Sequence, residues 1–342
     1  MDILEYSPLR FASDQQAGYT RIRKGKGYTF LDKNGNTIKD ETIKKRLQAL
    51  VIPPAWKSIW ISHHANGHLQ ATGIDEKGRK QYIYHALWTQ LREENKYTRI
   101  LEFGYKLPKL RQAIKSDLKK RKLDKAKVTA IALDIMEETL IRPGNSQYRK
   151  TYNSFGLTTL HNKHVKINGQ LVFFKFVGKK GKEHQIKVSD RSLAKRLKAV
   201  MEIPGQELFQ YYNEQNQIYT LDSGDLNEYI KHYTADNFTS KDFRTWYGTL
   251  WAFKYLAALD AFQNKAICKR NINECLDFVA KKLGNTRTVC RQYYVCIDLL
   301  KAYEENTLQP YLAQMNRSRS KLNEDLKVEK FLIKFLKEIK LS

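Results

Sequence analysis

Four short segments carry side chains suited to phosphoryl transfer without a metal ion. Arg142 ends an apolar run in LIRPGNSQY, Lys179 lies in FVGKKGKEH, Arg244 in SKDFRTWYG, and a tyrosine pair, Tyr293 and Tyr294, stands in GNTRTVCRQYYV. Attack on a phosphodiester without a metal needs cations that stabilise the pentavalent transition state. It also needs a nucleophile and a proton donor for the leaving oxygen. Taken singly, each residue has a plainer reading. An arginine at a helix end pairs with the dipole or a carboxylate, a lysine at a hairpin tip faces solvent, and a tyrosine in an apolar helix packs in the core. The chain has no HExxH, CxxC pair, Asp/Glu box or GxxxxGK(S/T) loop. Neither a metal site nor a nucleotide cofactor is expected.

The elements that must hold these residues follow from pattern. The first 85 residues read as strands and turns. KGYTFLDKNGNTIKD, Lys26 to Asp40, reads as a hairpin around Asn34-Gly35, a strong turn signal. A short helix ETIKKRLQAL follows, stopped by Pro53-Pro54, since proline cannot continue a helix. KSIWIS alternates as a half-buried strand does, and LQATGIDEKGRKQYIYH, Leu69 to His85, reads as a second hairpin. Helical periodicity then takes over: ALWTQLREENKYTRILEF, a basic helix and turn from Leu107, and KVTAIALDIMEETLIR, which Pro143-Gly144 stops. Gly156 to Asp190, with turn signals at Asn168-Gly169 and Lys180-Gly181, reads as a three-stranded antiparallel ribbon. Helices resume after Asp190, after Ser223, and over Ser240 to about Phe262. Further helices run over KRNINECLDFVAKKL to the Gly284-Asn285 break, from near Thr288 to Tyr303, and along a basic amphipathic tail from Lys321 to Leu341.

Composition narrows the partner. With 61 Lys+Arg against 36 Asp+Glu, the 342-residue chain carries a formal charge of +25. Such an excess favours a polyanion. The interleaved 20 Tyr, 15 Phe and 5 Trp make that nucleic acid rather than an anionic membrane. Hydrophobic content of 42% fits a folded protein. No run of 18 apolar residues suggests a membrane span. The opening MDILEYSPLRFASDQQ has no secretory pattern, so a cytoplasmic location is expected, associated with the nucleoid if the source is bacterial. The four cysteines, with neither disulfide-framework nor metal-knuckle spacing, read as reduced thiols.

Seven segments in order carry a resemblance. They are VIPPAW, QATGIDEKGRKQYIYH, LIRPGNSQY, GLTTLHNKHV, FVGKKGKEH, KDFRTWYGTLWAF and LGNTRTVCRQYYV. Together they resemble the type IB DNA topoisomerases of the small poxvirus and bacterial kind, over about residues 20 to 300. The resemblance implies that Tyr294 is the nucleophile, nine residues after Asn285, with Tyr293 beside it as a packing residue. It implies that Arg142 and Arg244 clamp the non-bridging oxygens of the scissile phosphate, and that Lys179 protonates the departing 5′ oxygen, with Lys180 and Lys182 close by. Lys241 matches an assisting lysine and Tyr148 a DNA-contacting tyrosine. Where the poxvirus pattern has histidine, this chain has Asn285, as the bacterial branch does. Asparagine can donate to a phosphate oxygen but carries no titratable proton. Arg79, Gln81, Tyr82 and Tyr84 on the second hairpin are placed to approach the major groove, where arginine and glutamine read base edges.

The expected activity is relaxation of supercoiled duplex DNA through a 3′-phosphotyrosyl intermediate, without ATP, metal or other cofactor. The expected fold class is α+β. A β-rich N-terminal clamp domain spans 1–88, and a mainly helical catalytic domain with the embedded ribbon spans 89–342. The two lobes would close on DNA as a C-shaped clamp in a monomer. The runner-up is a tyrosine recombinase or integrase. Those enzymes carry HxLR where this chain has KDFR, with Asp242 in place of the histidine. A non-catalytic DNA-binding protein would not require the Arg142, Lys179, Arg244 and Tyr294 set.

Overall fold

The computed structural model describes residues 7–25, 27–76, 78–317 and 324–341, without side chains at 92–97, 147–148, 315–317, 324, 340 and 341. By internal contacts the chain divides into Met1–Tyr97 and Thr98–Ser342. Among the described residues no helix is long and apolar enough to cross a membrane.

The first unit is an antiparallel sheet of five strands: β1 (Gly18–Lys24), β2 (Gly27–Leu31), β3 (Lys57–Ser62), β4 (Leu69–Ile74) and β5 (Lys80–Tyr84), in the order β2-β1-β3-β4-β5. One helix, α1 (Glu41–Ala49), starts where the Asp40 side chain accepts from the amides of Thr42 and Ile43, satisfying two helical N–H groups that have no other partner. Phe30, Ile38, Leu47, Ile52, Ile59, Ile61 and Ala71 form the core, with Ile83 packed against it. The VIPPAW loop is pinned by Arg21, whose guanidinium donates to the carbonyls of Ile52 (2.6 Å), Pro53 (2.8 Å) and Trp56 (3.3 Å). The expected turn at Asn34-Gly35 forms but is short: Asp32 donates its amide to the Asn36 carbonyl at 2.9 Å and Ile38 to that of Phe30 at 3.0 Å. The tight hairpin joins β1 to β2 with Gly25 at φ 58, while beyond Asn34-Gly35 only the single bridge Leu31 to Thr37 forms.

Helix α2 (Ala86–Asp117) runs through the point of division and continues past Pro108, so the two helical runs read from sequence are one helix. Pro108 removes one helical hydrogen bond, but buried Phe103, Leu107 and Leu110 hold the turns around it. The second unit is mainly helical: α3 (Lys125–Thr139), α4 (Ser146–Tyr152), α5 (Arg191–Met201), α6 (Ser223–Thr234), α7 (Ser240–Ala257), α8 (Lys265–Leu283), α9 (Arg287–Tyr293), α10 (Ile297–Glu304), α11 (Gln309–Arg317) and α12 (Glu324–Leu341). The three-stranded ribbon forms as expected from β6 (Val165–Asn168), β7 (Leu171–Val177) and β8 (Glu183–Ser189). A two-stranded sheet, β9 (Gln210–Tyr212) with β10 (Ile218–Thr220), is not legible in the pattern. The fold is therefore α+β.

The core of this unit centres on α7. Trp246, Phe243 and Phe253 are fully buried on it, each contributing about 2–3 kcal/mol by removing apolar surface from water. Phe103 packs edge-on against Phe238 and Phe243. The C-terminal helix α12 covers this core, burying Val328, Leu332, Phe335 and Leu336. Its Glu329 pairs with Arg111, which also donates to Glu137 and Tyr247. Lys321, the expected start of that tail, lies outside the described residues.

Candidate active site

Helix α7 begins after Thr239, whose amide and hydroxyl donate to Asp242 Oδ2 at 2.7 and 3.0 Å, while the Asp242 amide donates to the Thr239 carbonyl at 2.9 Å. Asp242 is also fixed by Arg99, at 2.7 and 2.8 Å. The position at which a recombinase would carry histidine thus serves as a helix cap and ion-pair partner. Arg244 follows in the first turns of α7 and is 3% exposed. Its guanidinium donates to the carbonyls of Leu140, at the end of α3, and Leu283, the last residue of α8, at 2.7 Å to the latter. Both carbonyls lie where a helix leaves its acceptors unsatisfied and its dipole is negative. One arginine therefore ties three helices together at a single point.

Arg142 follows Leu140, which takes the left-handed conformation at φ 50 and turns the chain out of α3. The Arg142-Pro143-Gly144 turn lies flat against Gly156. A methyl group on Gly156 would stand 2.6 Å from the Pro143 carbonyl oxygen and 2.7 Å from that of Arg142. Leu157 donates its amide to the Arg142 carbonyl at 2.8 Å. This packs the start of LIRPGNSQY against the start of GLTTLHNKHV. Arg142 Nη2 donates to Asn285 Oδ1 at 2.5 Å. Asn285 itself follows Gly284, whose φ of 61 caps α8.

The helix expected from Thr288 to Tyr303 is corrected: it breaks into α9 and α10, with Tyr294 at the break as the residue that caps α9. The break is made by tertiary contacts that periodicity does not encode. Gly248 on α7 lets the Tyr294 backbone come close, since a methyl there would stand 2.6 Å from the Tyr294 carbonyl oxygen. Thr249 then donates to that carbonyl at 3.3 Å and accepts from the amide of Cys296 at 3.1 Å. The Tyr294 ring lies against Arg244, 5.1 Å from guanidinium carbon to ring centroid. Tyr293, expected to be a packing residue, is instead 46% exposed.

The electrostatics of the cluster are those of crowded cations. Burial, and then the charge of Arg142, pull the Arg244 guanidinium down to about 10. Burial pushes the Tyr294 phenol up, but Arg244, Arg142 and Lys241 outweigh it and leave its pKa below the ordinary tyrosine value. Two buried donors in the cluster, Arg244 Nε and Asn285 Nδ2, have no hydrogen-bond partner among the described residues. Buried unpaired donors cost about 1–3 kcal/mol each, and an anion would satisfy them.

Lys241 is exposed at the start of α7. Lys179 is exposed at the turn between β7 and β8. Of the lysines on that turn, Lys182 is the one whose charge is felt at His184 and Cys290. His184 is a residue that the sequence pattern does not single out. Burial, then Arg142, Lys182 and Arg244, lower its pKa, which places its ring in the same electrostatic neighbourhood.

The residues expected at the DNA groove share strand β5 and the turn before it. Tyr82 and Tyr84 are 47% and 37% exposed and stack on each other at 6.1 Å. Arg79 and Gln81 both donate to Asp75, each at 2.8 Å. The side chain of Tyr148 lies outside the described residues; its backbone is in α4.

Known proteins account for this combination of folds. Residues 85–322 match the family described as eukaryotic DNA topoisomerase I, catalytic core, and residues 27–75 match the bacterial DNA topoisomerase IB N-terminal domain. A DNA topoisomerase 1B of Acanthamoeba polyphaga mimivirus is 31% identical over 287 residues, covering 82% of this chain and 84% of that protein. A DNA topoisomerase 1B of vaccinia virus (strain Copenhagen) is 25% identical over 237 residues, covering 68% of this chain and 72% of that protein. The chain belongs to the type IB DNA topoisomerases.

Proposed function

We propose that the protein relaxes supercoiled duplex DNA by cutting and resealing one strand through Tyr294, without ATP or a metal. The observation that carries this reading is the half-buried Tyr294 ring held against Arg244, with Arg142 and Asn285 hydrogen-bonded beside it. In the forward step Tyr294 Oη bonds to phosphorus as the phenol releases its proton to solvent water. The bond from phosphorus to the 5′ oxygen breaks, and Lys179 protonates that oxygen. Arg142 and Arg244 hold the non-bridging oxygens; a guanidinium is always charged and its fork suits two acceptors. Asn285 Nδ2 donates to the same oxygens, and Lys241 adds positive potential. The 3′-phosphotyrosyl bond keeps the energy of the bond it replaces, so the free 5′ hydroxyl reverses the step with no energy source. Between the two steps the duplex swivels.

Residues 1–88 act in this reading as a DNA-clamp domain and 89–342 as the catalytic domain. Arg79, Gln81, Tyr82, Tyr84 and Tyr148 contact duplex DNA, and the enzyme works as a monomer in the cytoplasm. The test is relaxation of supercoiled plasmid in EDTA without ATP, with Tyr294→Phe alongside. Wild-type relaxation of both supercoil signs and an inert variant support the reading. A wild type that binds plasmid without relaxing it overturns it.

A further inference from the structure

A histidine outside the expected set sits where two parts of the cluster meet. His184, on β8, pairs with Phe176 across the ribbon, and the two rings stack at 4.9 Å with 10° between their planes. Its edges are closed by two glycines. A methyl on Gly178 would lie 2.7 Å from His184 Cδ2 and 2.8 Å from Nε2, and a methyl on Gly284 would lie 2.8 Å from Cε1. Gly178 is the residue before Lys179, and Gly284 is the residue before Asn285. Gly178 also closes the turn by donating its amide to the Lys182 carbonyl at 2.7 Å. The imidazole is therefore the spacer between the turn that carries the lysines and the turn that carries the asparagine.

We propose that His184 is a positioning residue for strand cleavage: wedged between Gly178 and Gly284, its ring fixes the Lys179 turn against the Asn285 turn. This rests on the reading of Tyr294 given above. Misplacing a reacting group by about 1 Å costs roughly 100-fold in rate, and the imidazole is what separates these two turns. The ring must be neutral to serve. Burial keeps it neutral, and the positive charges of Arg142, from the turn after α3, Lys182, from the ribbon turn, and Arg244, from α7, add to that effect. Protonation would place a fourth cation among them. The spacing therefore holds above the ordinary histidine pKa and loosens as pH falls through the lowered one.

The experiment measures single-turnover formation of the covalent Tyr294–DNA adduct, together with duplex Kd, from about pH 5 to 8, a range that spans histidine titration. The full-length wild type is compared with His184→Ala, His184→Phe, Gly178→Ala and the double variant Gly178→Ala/His184→Ala. His184→Ala is expected to slow adduct formation about tenfold or more at neutral pH, with Kd within about threefold. His184→Phe keeps a flat ring that cannot titrate. It is expected to restore the neutral-pH rate to within about threefold and to lose the wild type's decline at acid pH. Gly178→Ala presses a methyl onto the ring and slows cleavage, and removing the ring in the double variant recovers part of that loss, a coupling expected only between neighbours. Where His184→Ala does not fold, the Phe variant and the glycine variant decide alone. Wild-type cleavage in His184→Ala, a loss of binding in step with the rate, or an acid decline that persists in His184→Phe overturns the proposal. A wild type that forms no adduct at all overturns the reading of Tyr294, and this proposal with it.

Discussion

The guanidinium of Arg244 and the ring of Tyr294 face each other at 5.1 Å while Arg244 holds the ends of α3 and α8. One buried side chain thus has two tasks. It fixes the geometry of three helices, and it supplies the largest of the positive potentials acting on the phenol. The two tasks separate by experiment. Arg244→Lys keeps a charge but loses the planar fork, so cleavage should fall about 100- to 1,000-fold. Because the Leu140 and Leu283 carbonyls lose their donor, the urea midpoint should fall as well, by the equivalent of about 1–3 kcal/mol. A rate loss with an unchanged midpoint would deny the structural task.

Gly248 should be intolerant of a methyl group. In an ordinary helix interior, Gly to Ala stabilises by about 1 kcal/mol. Here the added carbon would stand 2.6 Å from the Tyr294 carbonyl oxygen and push the α9–α10 break away from Arg244. Gly248→Ala should therefore cleave about 10- to 100-fold more slowly while binding duplex as the wild type does. Equal cleavage rates would show that this close approach does not set the position of Tyr294.

Asp75 restrains two of the expected groove residues. It accepts from Arg79 and Gln81 at once, and the Arg79 side chain is otherwise half exposed. Asp75→Asn keeps a carbonyl for the Arg79 amide but gives up the charge. The variant should bind duplex more tightly at low salt, and log K should fall more steeply with log salt, by about 0.9 for each further phosphate that a released cation neutralises. An unchanged salt slope would mean that Arg79 does not reach the backbone.

Acid should loosen the turn that follows α4. His164 Nδ1 accepts the amide of His161 at 3.0 Å, which only an unprotonated nitrogen can do. Burial, with His161 and Lys163 nearby, lowers its pKa to about 4. A depressed histidine pKa leaves stability whole above the ordinary value of about 6.5 and removes it as pH falls toward 4. His164→Asn, which keeps an acceptor and does not titrate, should flatten part of the decline in melting temperature between pH 6.5 and 4. Parallel curves for wild type and variant would exclude His164 as a source of that decline.

Local signals carried much of the fold. Asn168-Gly169 sits at the turn of the β6–β7 pair, whereas α3 ends at Thr139, before the expected Arg142, because Leu140 turns left-handed there. Tertiary contacts carried the rest. RTVCRQYYVCIDLLKAY reads as one helix because its apolar spacing runs unbroken. The interruption at Tyr294 comes from Gly248 and Thr249 on another helix. Asn34-Gly35 turns the chain back toward β2, but the segment after it makes one bridge only, and the longer hairpin turns at Gly25. Among the site residues, Arg142, Arg244, Asn285 and Tyr294 lie together. His184 gave no signal, since a histidine alternating along a strand looks like any surface residue. Its setting depends on two glycines distant in sequence that meet only in the fold.

The most direct test of the account is to trap the protein on cleaved duplex in EDTA and map the residue bonded to DNA, with Tyr294→Phe and Tyr293→Phe in parallel. A 3′-phosphotyrosyl adduct is expected at Tyr294, absent from Tyr294→Phe and formed at close to the wild-type rate by Tyr293→Phe. An adduct on Tyr293, or relaxation that survives in Tyr294→Phe, would contradict it.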